Sequence, residues 1–140
     1  MGRMNLGRVI LGGLLAGLII NIGETVLNLV VIASEQDEWL KSRNMPPIAN
    51  SSIGVWVVLS FILGIFAVWI YAAIRPRFGP GVGTAIKAGL VTFFLANCYL
   101  TLGLTGMGLF PTNLTLVTLA WALVEVLVAT VAGAWAYTEA

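Results

Sequence analysis

The chain has 140 residues, of which 59% are apolar and 9% charged, and its formal net charge is +1. Seven basic and six acidic side chains cannot clothe a water-facing surface, where about a quarter of residues is normally charged, and they leave no clustered basic face for nucleic acid. One cysteine, Cys98, excludes an internal disulfide, and the lack of histidine removes the commonest metal ligand and the commonest general base.

A hydrocarbon core of about 30 Å needs about 20 mainly apolar helical residues. Four segments meet that demand: 9–33, 53–74, 84–109 and 114–136. The chain therefore reads as one all-α domain, 1–140, an integral membrane bundle of four transmembrane helices. The first segment follows Arg3 and Arg8 as a signal peptide would, but it is too long and no small-residue cleavage site follows it. It is read as a retained first helix.

The outer connection, 34–52, is the longest. Ser34 is expected to cap a short helix whose first turn carries Glu35 and Asp37. Trp39, Leu40 and Met45 would seat that helix on the membrane surface before Pro46 and Pro47 end it. Between the second and third spans, Arg75-Pro76-Arg77-Phe78-Gly79-Pro80-Gly81 reads as a stiff turn, with two prolines that fix φ and two glycines that permit reversal. Gly79 to Gly83 is glycine-rich, but no strand precedes it and Pro80 interrupts it, so it is no phosphate cradle. Phe110-Pro111-Thr112-Asn113 is a tight turn that makes the last two helices antiparallel neighbours.

Basic residues set the orientation. Arg3, Arg8, Arg75, Arg77 and Lys87 share one side, whereas Lys41 and Arg43 lie beside Glu35, Asp37 and Glu38 on the other. The positive-inside rule then places both termini in the cytoplasm. Arg75, Arg77 and Lys87 are expected to meet anionic lipid headgroups there. Trp39, Trp56, Trp69, Tyr71, Trp135 and Tyr137 lie near span ends, as interfacial aromatic belts do.

The second and fourth spans share a sparse pattern: Trp56, Ser60, Trp69 and Tyr71 match Trp121, Glu125, Trp135 and Tyr137 with one residue of slippage. The first and third share Ala16-Gly17-Leu18 and Ala88-Gly89-Leu90. One reading is a helix hairpin used twice in parallel orientation, as in transporters with sites at the repeat interface. The other is that membrane helices commonly share Trp-Tyr ends.

Glu24 and Glu125 are the carboxylates inside the spans. A charge at the bilayer centre costs about 2.5–3.5 kcal/mol on the lenient insertion scale, so both are expected to face the bundle interior. Glu125 and Asn97 fall at the middle of their spans, Ser60 falls near mid-depth, and Glu24 lies about one turn outward. Gly13, Gly17, Asn21, Glu24 and Asn28 form one face of the first helix, and Ala122, Glu125, Ala129, Ala132, Gly133 and Ala136 form one face of the fourth. Small residues on these faces let helices approach closely. A polar cluster of Asn21, Glu24, Asn28, Asn97 and Glu125 is expected inside the bundle. It is either a hydrogen-bonded plug that holds helix register or a proton-coupled site. Cys98 reads as a small core residue, since nothing near it activates the thiol.

Tyr71-Ala72-Ala73-Ile74-Arg75-Pro76-Arg77-Phe78-Gly79-Pro80-Gly81, Asn21-Ile22-Gly23-Glu24, and Trp121-Ala122-Leu123-Val124-Glu125 with Gly133-Ala134-Trp135 carry a resemblance. The chain resembles an uncharacterised family of small bacterial four-helix inner-membrane proteins over nearly its whole length. The resemblance implies a bacterial inner-membrane location and marks the two acids as characteristic positions, but it implies no activity. Small multidrug-resistance transporters also have four helices and a glutamate in the first. Their connections are short throughout, unlike 34–52, and the second acid at Glu125 departs from their pattern, so their function is not carried over.

The leading expectation is a non-enzymatic structural or accessory subunit of a larger inner-membrane assembly, without cofactor or metal. It would partner with membrane lipids and with other membrane subunits or itself. The alternative is a small proton-coupled transporter or channel that acts as a homo-oligomer through Glu24 and Glu125. An accessory role supposes a polar centre that satisfies its own hydrogen bonds.

Overall fold

A computed structural model describes residues 3–139. Among them, five helices follow one another: α1 (Leu6–Val31), α2 (Ala33–Ser42), α3 (Asn50–Phe78), α4 (Val82–Gly106) and α5 (Thr112–Trp135). All but α2 are long and apolar enough to cross a membrane. The all-helical, four-span expectation holds, with boundaries moved by a few residues. α1 starts earlier than expected because Asn5 caps it, its side chain accepting from the Arg8 backbone N–H at 3.1 Å.

Two local expectations are corrected. Pro76 does not break the chain into a turn but sits in the last turn of α3. A proline lacks only its own N–H, so residues beyond it still donate, as the Gly79 N–H does to the Arg75 carbonyl at 2.8 Å. The reversal falls to Gly79 and Gly81, whose φ values of 81° and 121° suit glycine. Thr84 closes the turn, its hydroxyl donating to the Gly79 carbonyl at 2.7 Å.

Ser34, in turn, does not cap α2. The N-cap is Ile32, and the Ser34 hydroxyl donates to Glu35 Oε2 at 2.8 Å, which holds that carboxyl below its ordinary range. Leu40 is buried as expected, but Met45 is exposed. α2 ends at Ser42, ahead of the proline pair, with Asn44 in the left-handed region at φ 51°.

The packing is inside-out compared with a water-soluble bundle. Ala16, Ala67, Ala88 and Ala129 fill the centre, while Leu14, Leu18, Phe66, Phe94 and Leu116 face outward. Apolar packing gains little when lipid is the alternative, so close backbone approach between small residues holds the helices together. A side chain at Gly13 would strike Ile65, one at Gly64 would strike Gly13 and Gly17, and one at Gly12 would strike Gly133. α1 is thereby pressed between α3 and α5, and α4 packs against the same two helices from the other side.

The chain termini and the α3–α4 turn meet at one end. Tyr71 and Tyr137 stack edge to face there, with ring centroids 5.9 Å apart. Both are buried, so neither belongs to an aromatic belt. Their hydroxyls accept from the backbone N–H groups of Gly81 (3.2 Å) and Asn5 (3.4 Å). Trp56, Trp69 and Trp135 are exposed.

The opposite end is less closely packed, and in α3 residues 53–59 are all exposed. Ser51, Gly54, Val55, Val58 and Leu59 line a shallow groove along this stretch.

Gly64→Val is expected to destabilise the fold by about 1–3 kcal/mol, the usual cost of overpacking. Gly54→Ala, with nothing within 4 Å of the added methyl, is expected to be neutral or stabilising by up to about 1 kcal/mol. Thermal unfolding in detergent, followed by circular dichroism, checks both.

Candidate functional site

Glu24 and Glu125 come together between α1 and α5. Along the helix axes they start at different depths, but each side chain tilts toward its own helix N-terminus. Because α1 and α5 run in opposite directions, the two carboxyls lean toward each other. Gly23 supplies the room: a methyl there would overlap the Glu125 carboxyl, its Cβ lying 2.7 Å from Cδ.

The two carboxyls lie close enough to interact through their charge, and two carboxylate oxygens can hydrogen-bond to one another only where one acid carries a proton. Asn28 Nδ2 donates to Glu24 Oε2 at 3.0 Å and to the Glu24 carbonyl at 2.8 Å. Trp121, one helical turn before Glu125, donates its indole N–H to Glu125 Oε2 at 3.1 Å. The remaining oxygen, Glu125 Oε1, is buried without a partner, on a residue only 7% exposed.

The expected five-residue cluster thus divides. Glu24, Asn28 and Glu125 form its centre. Asn21 instead ties α1 to α3, donating to the Gly17 carbonyl at 2.9 Å and the Val57 carbonyl at 3.3 Å. Ser60 is buried beside α1, where its carbonyl would lie 3.2 Å from a methyl on Gly17.

Asn97 lies on α4, in a π-helical turn that spans Phe94–Cys98, and its Oδ1 is buried without a partner. Two contacts set the α4–α5 register: Gly89 packs against Leu127 and Thr130, and the Thr105 and Thr115 hydroxyls lie 2.9 Å apart. Asn97 falls midway between these contacts, level with Trp121 and Ala122. Thr118 Oγ1, a third buried oxygen without a partner, lies about one turn to one side of that level, and Glu125 lies about one turn to the other.

Trp121 and Gly23 escaped the sequence reading as members of this site. The spacing of four between Trp121 and Glu125 was a usable signal, because such residues share a helix face. The role of Gly23 depends on which helix lies opposite, which periodicity does not encode.

Of the three expected headgroup residues, Arg77 and Lys87 are exposed at the termini end, with Lys87 Nζ 5.3 Å from the Phe78 ring centroid. Arg75 is drawn inward instead. Its Nη1 lies 3.0 Å from Glu139 Oε1 and its guanidinium 5.6 Å from the Tyr137 ring centroid. The Glu139 contact is one of charge rather than an aligned hydrogen bond, because Nη1 and Nε are otherwise without partners.

Among the described residues no three His, Cys, Asp or Glu side chains come together as a metal-ligand set. No family model, curated protein or solved structure matches this chain.

Gly23→Ala is expected to destabilise the protein by about 1–3 kcal/mol by displacing the Glu125 carboxyl. In a Glu125→Ala background the same change is expected to cost much less. A double-mutant cycle from reversible unfolding in detergent reads the coupling; additive effects would disprove the contact.

Proposed function

We propose that the chain is a small proton-coupled transporter or channel of a bacterial inner membrane, acting as a homo-oligomer with Glu24 and Glu125 as proton carriers. The observation that carries this reading is the pair of acids from two helices, brought side by side within the spanning segments and only partly satisfied. Protonatable acids inside a membrane are the usual relay groups. A structural plug would satisfy its own acceptors, because each unsatisfied buried group costs about 1–3 kcal/mol. Glu125 Oε1 and Asn97 Oδ1 depart from that pattern.

A duplicated hairpin fits this reading. α1 and α4 each pack against both α3 and α5, and each contains a π-helical turn. The matched Tyr71 and Tyr137 stack on one another, Trp69 and Trp135 are both exposed, and Ser60 and Glu125 are both buried. Only the Trp56–Trp121 match differs in setting: Trp56 is 63% exposed, whereas Trp121 binds the acid. The clustering of Arg75, Arg77 and Lys87 at the termini end supports cytoplasmic termini.

A second reading, an accessory subunit of a larger membrane assembly, is favoured by the exposed stretch of α3 at residues 53–59, which a neighbouring helix would cover.

In proteoliposomes carrying a pH-sensitive dye, the wild-type chain is expected to dissipate an imposed pH gradient. Glu125→Gln is expected to slow that flux at least about tenfold, the loss typical of removing a proton-transfer group, while the fold stays intact by circular dichroism. Unchanged flux in Glu125→Gln would remove the reading.

A further inference from the structure

We propose that Trp121 gates the acid pair: its indole holds Glu125 and, seated on an apolar plug, closes the pair to water from the end of the bundle opposite the termini. The inference deepens the proton-carrier reading and rests on it only for what the gate admits. Trp121 is a positioning residue, since it acts through Glu125.

Beyond the acids, the side chains follow the same order on both helices. α1 runs away from the termini end and α5 runs back toward it. About one turn beyond Glu24 lies Leu27, and one turn beyond Glu125 lies Trp121, each roughly 5 Å farther from the termini. Leu27, Ile32 and Leu114 are buried together, at most 4% exposed, and Trp121 and Phe110 pack against them. The indole thus joins two surfaces. Its rings rest on this plug, while its N–H donates to Glu125 Oε2 at 3.1 Å. A large ring with one polar handle suits a place between an apolar layer and a polar one. The α1 part of the plug begins in the π-helical turn Leu27–Val31, a distortion that helices often carry at functional sites.

The termini side is closed differently. About one turn inward of the acids, Ile20 and Ala129 belong to the main core with Ala16 and Val68, all at most 3% exposed. There the backbones touch, since a side chain at Gly17 would strike Phe61 and one at Gly64 would strike Gly13 and Gly17. Alanine and glycine have no rotamer to change, so water enters from that side only if whole helices part. On the other side two partly buried rings, Trp121 and Phe110, close the way. A change of χ angle moves a ring without moving its helix. The surroundings also yield more readily there, because α4 has no buried residue from Phe94 to Gly106. This asymmetry makes Trp121 the part that moves. A swing of its indole gives up one hydrogen bond to Glu125 and uncovers both acids.

The test is side-specific labelling of a thiol beside Glu125. Glu24→Cys in a Cys98→Ser background supplies the thiol and leaves both Trp121 and Glu125 in place. The full chain is sealed into vesicles, and its orientation is read from protease removal of a C-terminal tag. A charged, membrane-impermeant thiol reagent is then added to one face at a time. With Trp121 intact, labelling should be slow from both faces. Trp121→Ala should speed it at least about tenfold from the face opposite the termini, because the open fraction sets the rate, and leave the termini face unchanged. Leu114→Ala should give a smaller acceleration on the same face, and Trp121→Phe, which keeps a ring on the plug, should give less than Trp121→Ala. Helicity and size-exclusion profile check the fold of each variant, and Leu114→Ala carries the test if Trp121→Ala does not fold. Equal acceleration from both faces would show general loosening and overturn the gate. Fast labelling with Trp121 intact, or no acceleration in the folded variants, would overturn it too.

The two readings fail separately. Proton flux that needs Glu125, with labelling indifferent to Trp121, overturns the gate and leaves the proton carriers standing. One-sided labelling under the control of Trp121, without pH-driven flux, does the reverse.

Discussion

The close approach of α1 to its two neighbours governs the rest of the molecule. Helices surrounded by lipid gain little from burying one apolar side chain against another, so their association depends on dispersion between backbones that can come near each other. Gly12, Gly13 and Gly17 give α1 two bare faces, which meet Gly133 of α5 and the Ile65, Gly64 and Phe61 stretch of α3. The large residues that would fill a soluble core are turned outward. This trade leaves the bundle tight around α1 and loose where α3 leaves its partners.

The acid pair depends on that approach. With α1 drawn against α5, Gly23 faces the path of the Glu125 side chain and leaves it room, and the opposed tilt of the two side chains turns the carboxyls toward each other. Trp121 and Asn28 then occupy one oxygen of each acid. Glu125 Oε1 stays open, and Asn97 on α4 and Thr118 on α5 carry further buried oxygens that the protein does not pair. A polar layer built for rigidity alone would close this set.

The termini end shows the opposite character. Tyr71, Tyr137, Arg75 and Glu139 join α3, the α3–α4 turn and the C-terminal segment through stacking, charge and hydrogen bonds to the backbone of Asn5 and Gly81. One end of the bundle is thus pinned, while at the other residues 53–59 of α3 are exposed and held to α1 by the Asn21 bond to the Val57 carbonyl. A transport cycle or a docking partner would act on the loose end, because few contacts there resist movement.

Much of this was legible in the amino-acid sequence, for a physical reason. Apolar length determines that a helix can cross a membrane, and the price of a charge in hydrocarbon marks Glu24 and Glu125 as inward-facing; both follow from composition and the 3.6-residue period. The pattern of small residues likewise foretold which faces pack. What only the tertiary structure decided was partnership. Asn21 went to α3 and not to the acids, Arg75 to Glu139 and Tyr137, and the two belt-like tyrosines to each other. Pro76 was absorbed into a helix because later residues kept their donors. Gly23 joined the site because α5 lies against α1. Periodicity gives each side chain a direction on its own helix, but the neighbour it meets depends on the register and tilt of a second helix, which no single segment contains.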